Sequence, residues 1–282
     1  MSEQKAEPAA AAAPASRNLV MRVASALVLV PVAIAAAYVG GWYWTALVTL
    51  GAIGLFVEWL MVTGAAGNVP LTVTGAGMLA IAGPFLALRN VDAALVMLAL
   101  GLIAVAYRAS APRSWAMAGF LYAAAAQVSS IVVRLDASEG FVALVLVLLV
   151  VWSTDIGGYF AGRAIGGAKL WPQVSPNKTW AGAIGGFVAS LIVAGGFAVA
   201  GFGKTGPLLL IGAALSVASQ FGDLFESAVK RRFGVKDSSH IIPGHGGLMD
   251  RLDGYVAAVV LAAIFGILRG GADGVGRALM VW

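Results

Sequence analysis

The run 141-FVALVLVLLVVWSTDIGGYFAG-162 decides the fold class of this chain. Its first twelve residues are apolar, and Asp155 is its single charged side chain. As a helix at 1.5 Å per residue, this run reaches about 33 Å, which matches the hydrocarbon core of a bilayer. Hydrophobic residues make up 60% of the 282 residues and charged residues only 11%, against about 25% in soluble domains. The sequence therefore predicts an all-α, polytopic integral membrane protein.

Similar apolar runs recur along the chain and predict about nine transmembrane helices. Residues 1–16 are rich in alanine and proline and are expected to form a disordered tail. Glu3 and Glu7 do not suit a signal peptide. We divide the remainder into N-terminal transmembrane helices at 17–140 and a C-terminal catalytic transmembrane region at 141–282. The nine expected spans are 19–39, 43–62, 71–88, 91–107, 114–133, 141–162, 179–202, 207–229 and 254–269.

The basic residues predict the orientation of these spans. With the N-terminus in the cytoplasm, 13 of the 18 lysine and arginine residues fall on the cytoplasmic side and five fall outside. The loop 163–178 and the polar region 227–253 then face the cytoplasm. The basic excess is explained by topology and by anionic headgroups, so no nucleic-acid partner is expected. The chain has no cysteine, which excludes disulfides and thiolate metal sites.

A polar stripe marks the end of the eighth expected span. Gln220, Asp223, Ser227 and Lys230 are spaced so that they share one face of a helix. Lipid cannot solvate such a face, which must therefore point into the bundle or into a wet cavity. The structural alternative is a seam of hydrogen bonds between helices, followed by an ordinary basic flank.

The sequence GHGGLMDRLDG, which follows, suggests a site for metal and phosphate. Asp250 and Asp253 lie on one face if this segment is helical, with Arg251 between them. Two carboxylates on one face repel each other unless a cation joins them, and with Asp223 they form an oxygen set that suits Mg²⁺. The neighbouring basic residues suit a phosphate. The glycines here let backbone N–H groups approach a phosphate, and His245 has either a phosphate-binding or a structural role.

A second polar group is predicted on the same side of the membrane. Asp155, Tyr159 and Arg163 are four residues apart and share one helix face, with Asp155 inside the membrane depth. An acidic residue at this depth indicates a functional site. Lys178 lies at the mouth of the seventh span, where Thr179 is expected to cap the helix N-terminus.

The run SAVKRRFGVKDSSHIIPGHGGLMDRLD, at 227–253, resembles the signature of the phosphatidate cytidylyltransferases, the bacterial CDP-diacylglycerol synthases. The segments 155–170 and 175–180 also resemble family elements, so the similarity covers about 150–254. Two positions differ from the family: Ala181 stands where Glu or Gln is common, and Gly254 where Ser is common. The N-terminal half matches only in hydropathy and in the pair Glu58–Trp59. We assign Glu58 a structural role, as for most single glutamates near an interface.

The resemblance implies transfer of CMP from CTP to phosphatidic acid at a cytosol-facing polar cavity in the inner membrane of a bacterium. It implies Mg²⁺, with room for a second cation, and it favours a homodimer. The implied metal ligands are Asp223, Asp250 and Asp253. The implied catalytic residues are these three with Lys230 and Arg251. The implied substrate contacts are Lys178, Ser227, His245, Asp155, Tyr159, Arg163 and Lys236.

Three alternatives are weighed against this hypothesis. The first is another lipid enzyme that uses CTP, such as a polyprenol kinase or an archaeal-type lipid cytidylyltransferase. The second is a cation-coupled transporter, which would spread its carboxylates through the membrane depth. The third is an inactive scaffold, which would be expected to have lost at least one of the three aspartates.

Overall fold

The computed structural model describes residues 30–110, 112–239 and 246–282, most of which are helical. Within these ranges, eight helices are long and apolar enough to cross a membrane, which confirms the all-α membrane fold. They are α2 (Gly41–Val62), α3 (Val69–Ala87), α4 (Val91–Arg108), α5 (Arg113–Leu135), α6 (Gly140–Ala164), α7 (Trp180–Val199), α8 (Thr205–Arg232) and α9 (Met249–Gly270).

The first expected span is described only in part. A shorter apolar helix, α1, covers Val30–Val39. The rest of that span and the tail at 1–16 lie outside the described residues, so the count of nine spans stays a prediction.

Two short features were not predicted from the sequence. Strands β1 (Lys169–Trp171) and β2 (Ser175–Thr179) form an antiparallel hairpin between α6 and α7. A short helix, α10 (Val275–Met280), follows α9. The hairpin ends at the predicted helix cap, where Thr179 Oγ1 accepts a hydrogen bond of 3.0 Å from the backbone N–H of Gly182. The cap prediction is therefore confirmed, and β2 delivers Lys178 to the start of α7.

Small residues let the helices around the polar residues approach closely. Between α6 and α7, a Cβ added to Gly157 would lie 2.6 Å from the Cβ of Ala189. Between α8 and α9, a Cβ added to Gly222 would lie 2.5 Å from the carbonyl oxygen of Asp253. Such contacts need glycine, because any side chain would force the two backbones apart. They bring the polar faces of α6, α8 and α9 to one end of the bundle.

The opposite end of the bundle is fastened by Asp136, which directly follows α5. Its carboxylate accepts backbone hydrogen bonds from Arg277 (2.8 Å), Ser138 (3.0 Å) and Glu139 (3.1 Å), and one from the Ser138 hydroxyl (2.8 Å). Burial alone would raise the pKa of Asp136, but these hydrogen bonds hold that pKa below its usual value. One side chain thus ties together the ends of α5, α6 and α10.

The apolar core joins the two halves of the chain. One buried cluster packs Trp44 and Ile131 together with Val147 and Val259, which lie on either side of residue 140. The functional division at residue 140 stays a prediction.

Candidate functional site

Charged residues from several helices meet at one end of the bundle. Glu58, near the end of α2, accepts a hydrogen bond from the backbone N–H of Leu248, just before α9. Lys178, just before α7, forms an ion pair with Asp223, near the end of α8. The ends of α2 and α8 and the starts of α7 and α9 therefore surround one polar region.

A cleft of about 520 Å³ opens in this region between α6, α7, α8 and the hairpin. Asp155, Tyr159 and Arg163 line it from α6, which confirms that they share one face, and Arg163 Nη1 donates a 2.8 Å hydrogen bond to the Tyr159 hydroxyl. The polar lining is Thr154, Asp155, Tyr159, Arg163, Asn177, Lys178, Thr179, Gln220 and Asp223. A smaller cavity of about 310 Å³ beside Trp115 has no charged residue among its described lining.

Two residues of the polar stripe of α8, Gln220 and Asp223, line this cleft. The Lys178 and Asp223 side chains are each 29% exposed, so water and ligands can reach their ion pair. The Ser227 hydroxyl lies 3.4 Å from Asp223 Oδ1, and Gln220 Nε2 donates to the carbonyl oxygen of Ala183 at 3.3 Å. Gln220 and Asp223 thus lie on the cleft side of α8, as predicted, and Ser227 adjoins them through its contact with Asp223.

Lys230, the fourth residue of the stripe, lies instead in a buried ion triad with Glu226 and Asp250. Its Nζ atom is 2.6 Å from Asp250 Oδ1 and 2.9 Å from Glu226 Oε2. Glu226 is 1% exposed, and within the described part of the chain its two oxygens have no hydrogen-bond partner beyond this ion pair. Sequence reasoning missed Glu226, although its four-residue spacing from Lys230 on an apolar helix was an available signal.

Asp250 is held by protein donors on both of its oxygens. Besides Lys230, it accepts hydrogen bonds from the backbone N–H groups of Gly247 (2.9 Å) and Ser238 (3.0 Å), and the Ser238 hydroxyl lies 3.0 Å from Oδ2. The carboxylate therefore orients the first turn of α9 and the residues just before it.

Asp253, one turn further along α9, has a different environment. It interacts electrostatically with Asp223, Glu226 and Asp155, and its Oδ1 accepts a 2.7 Å hydrogen bond from the backbone N–H of Gly254. The structure thus brings three of the predicted carboxylates, on α6, α8 and α9, into mutual range. Asp250 is directed towards Lys230 instead.

Three further predicted residues lie outside the described contacts of the cleft. His245 is outside the described residues. Lys236 is exposed between α8 and α9, and Arg251 is exposed in the first turn of α9. Their predicted contacts with substrate stay predictions.

Comparison with known proteins identifies relatives of this chain. The model of the Cytidylyltransferase family matches residues 20–268, which is most of the chain. The chain belongs to this family. The chain is 40% identical over 258 residues to the phosphatidate cytidylyltransferase of Brucella suis biovar 1, covering 89% of this chain and 94% of the relative. Over 110 residues it is 50% identical to the phosphatidate cytidylyltransferase of Bacillus subtilis, covering 38% of this chain and 41% of that relative.

The carboxylates of this cytidylyltransferase-family chain could form part of a metal site, which other oxygen ligands would have to complete. No group of three acidic or histidine side chains within the described ranges is already placed as a complete metal site. Asp155, Asp223 and Asp253 nevertheless interact with one another, and Glu226, whose described partner is Lys230, lies nearby. Mg²⁺ commonly takes only one or two protein carboxylates and completes its shell with water and phosphate oxygens. The residues present fit that kind of shared site.

Proposed function

We propose that this protein transfers CMP from CTP to phosphatidic acid. A phosphate oxygen of the lipid attacks the α-phosphorus of CTP, and the bond from that phosphorus to the bridging oxygen of the β-phosphate breaks. The products are CDP-diacylglycerol and pyrophosphate. Relatives that are named phosphatidate cytidylyltransferase, with one matching over 94% of its own length, support this reaction.

The cleft carries the proposal, because it offers cations and carboxylates beside helices that are long and apolar enough to cross a membrane. Trp171 on β1 and Trp180 at the start of α7 are 47% and 56% exposed. Tryptophan is enriched at the level of the lipid headgroups. A cleft at that depth suits a reaction between a water-soluble nucleotide and a lipid phosphate.

The chemistry depends on neutralising charge rather than on a strong base. Both reactants are anionic, and the attacking lipid phosphate is already ionised at neutral pH, so stabilising the charge of the transition state dominates. In the cleft, Arg163 and Lys178 are suited to phosphate oxygens and Tyr159 supplies a hydroxyl group. Ser227 supplies another hydroxyl group beside Asp223. We further assign Lys236, His245 and Arg251 to the substrate phosphates.

We assign Mg²⁺ to Asp223 and Asp253, which interact across α8 and α9. Asp250, the third expected ligand, would first have to leave the contacts that hold both its oxygens. When bound, Mg²⁺ supplies positive charge to the phosphate oxygens and favours departure of pyrophosphate. A second cation also forms part of the proposal.

The proposed setting is the inner membrane of a bacterium, with the cleft facing the cytoplasm, where CTP is made. The distribution of basic residues supports this orientation. A homodimer is proposed on the family resemblance.

The test measures pyrophosphate release by the purified protein in micelles with phosphatidic acid and Mg²⁺. We expect release with CTP but not with UTP or ATP, and none without the lipid. Asp223→Asn should lower the rate at least roughly 100-fold, since it removes charge from the reacting centre. Asp273→Asn, an exposed residue after α9, is the matched control and should keep the rate.

Two results would contradict the proposal. If no nucleotide supports lipid-dependent release, the cytidylyltransferase reaction is wrong, and ion flux into liposomes would test the transporter alternative. If Asp223→Asn is as active as Asp273→Asn, the reaction does not depend on the cleft.

A further inference from the structure

Glu58 is a buried carboxylate that gathers hydrogen bonds from the connection between α8 and α9. It lies near the end of α2 and is fully buried. Its Oε1 accepts from the Ser239 hydroxyl at 2.7 Å and from the backbone N–H of Leu248 at 2.8 Å. Its Oε2 accepts from the backbone N–H of Met249 at 2.7 Å and lies 2.9 Å from the Ser238 hydroxyl. One side chain thus joins both described ends of a connection some 180 residues away.

Two of these bonds cap the N-terminus of α9. The first N–H groups of a helix have no partner within the helix, and a negative charge beside them is favourable. The residue before α9, Leu248, has no side chain that could cap it. Glu58 takes this role from another helix and so determines where α9 begins.

Close packing leaves this carboxylate little freedom to move. A Cβ added to Gly247 would clash with Ser238 Oγ and would lie 2.6 Å from Glu58 Oε2, so no side chain fits there. The next residue of α2, Trp59, donates from its indole nitrogen to the carbonyl oxygen of Trp115 at 2.8 Å and stacks on Phe225 of α8. Helix α2 therefore fixes α8 through Trp59 and α9 through Glu58.

The Ser238 hydroxyl connects Glu58 to the reacting region. It lies between Glu58 Oε2 (2.9 Å) and Asp250 Oδ2 (3.0 Å). Asp250 in turn contacts Lys230 and the backbone N–H of Gly247. A displacement of Glu58 would reach Asp250 through one hydroxyl, and would reach Asp253 through the first turn of α9.

We propose that Glu58 is a positioning residue for the transfer reaction. It holds α9 so that Asp253 on α9 faces Asp223 on α8. This inference rests on the proposed function. The residue acts through its four donors, so its charge and its two acceptor oxygens matter more than its volume. Sequence reasoning assigned it a structural role, and the geometry gives that role a catalytic consequence.

The test compares Glu58→Gln with Glu139→Gln, a half-buried glutamate at the opposite end of the bundle. The glutamine has the same size, but its amide nitrogen would face donors, so we expect kcat to fall roughly 100-fold, as for small misplacements of reacting groups. The thermal midpoint should fall only modestly, because Trp59 still holds α2 against α8. Hydrogen exchange should accelerate in the peptide that covers 246–252 and stay unchanged in α5. Ser239→Ala, which removes one donor and keeps the carboxylate, should give a smaller loss with the same exchange signature.

The outcomes separate this inference from the proposed function. If wild-type protein has no CTP-dependent activity, the proposed function fails, while the exchange of 246–252 still decides whether Glu58 holds α9. Unchanged exchange in Glu58→Gln would overturn the positioning role. The positioning role would also be overturned if, in both Glu58→Gln and Ser239→Ala, activity fell only in proportion to the loss of folded protein.

Discussion

Removing the ammonium group of Lys230 should destabilise the protein strongly, because it leaves two buried carboxylates without their counterion. In the ion triad, Glu226 is 1% exposed and the Asp250 side chain 12% exposed. Removing one partner of a buried ion pair costs about 3–5 kcal/mol. We expect Lys230→Met to lower the free energy of unfolding by about that amount.

The structure also predicts which carboxylate causes the loss of stability in Lys230→Met. Asp250 keeps the hydrogen bonds from Gly247 and Ser238 when Lys230 is removed. Glu226 loses the only counterion it has in the described part of the chain. The double variant Glu226→Met/Lys230→Met should therefore recover most of the loss, since apolar residues of similar volume replace buried ion pairs well. Asp250→Asn/Lys230→Met should recover little.

SDS titration in mixed micelles, followed by tryptophan fluorescence, would measure these free energies, since the chain has eight tryptophans. Lys204→Met is the matched control, because Lys204 is exposed at the start of α8. A Lys230→Met variant as stable as Lys204→Met would show that the triad is not buried as described. Recovery by Asp250→Asn but not by Glu226→Met would refute the assignment of the cost to Glu226.

Two further predictions concern the seam of α8 with α9 and the opposite end of the bundle. Gly222→Ala should lower pyrophosphate release sharply, because the added Cβ would lie 2.5 Å from the carbonyl oxygen of Asp253; Gly206→Ala, which meets open space in the same helix, should keep the rate. Burial raises the pKa of Asp136, but the hydrogen bonds to its carboxylate outweigh burial and lower that pKa. The ionised carboxylate therefore stabilises the fold fully above about pH 4, and this stabilisation is lost as the pH falls further. Asp136→Asn should thus destabilise at pH 7 and much less at pH 3, measured by thermal unfolding.

Local spacing predicted the features that depend on a single helix. Asp155, Tyr159 and Arg163 share a face because residues four apart lie one above another on any α-helix. Thr179 caps α7 because its hydroxyl can reach an unpaired N–H group three residues ahead. Neither feature needs information from the rest of the chain.

The features that the sequence did not reveal depend on distant partners. Hydropathy alone placed the start of the last expected span at residue 254, whereas α9 begins at Met249. The additional turn exists because Glu58 satisfies the N–H groups of Leu248 and Met249. Contacts with distant parts of the chain also explain why Asp250 and Asp253, three residues apart, have different surroundings. Only the folded arrangement directs one to Lys230 and the other towards Asp223.

The charges near the cleft divide into those that hold the protein and those that remain for a ligand. Glu58, Glu226 and Asp250 are engaged by donors or by Lys230 inside the protein. Beside the cleft lie the carboxylates of Asp155, Asp223 and Asp253 and the cations of Arg163 and Lys178. Under the proposed function, these cations are suited to phosphate oxygens, and the carboxylates are suited to a divalent cation that the nucleotide carries.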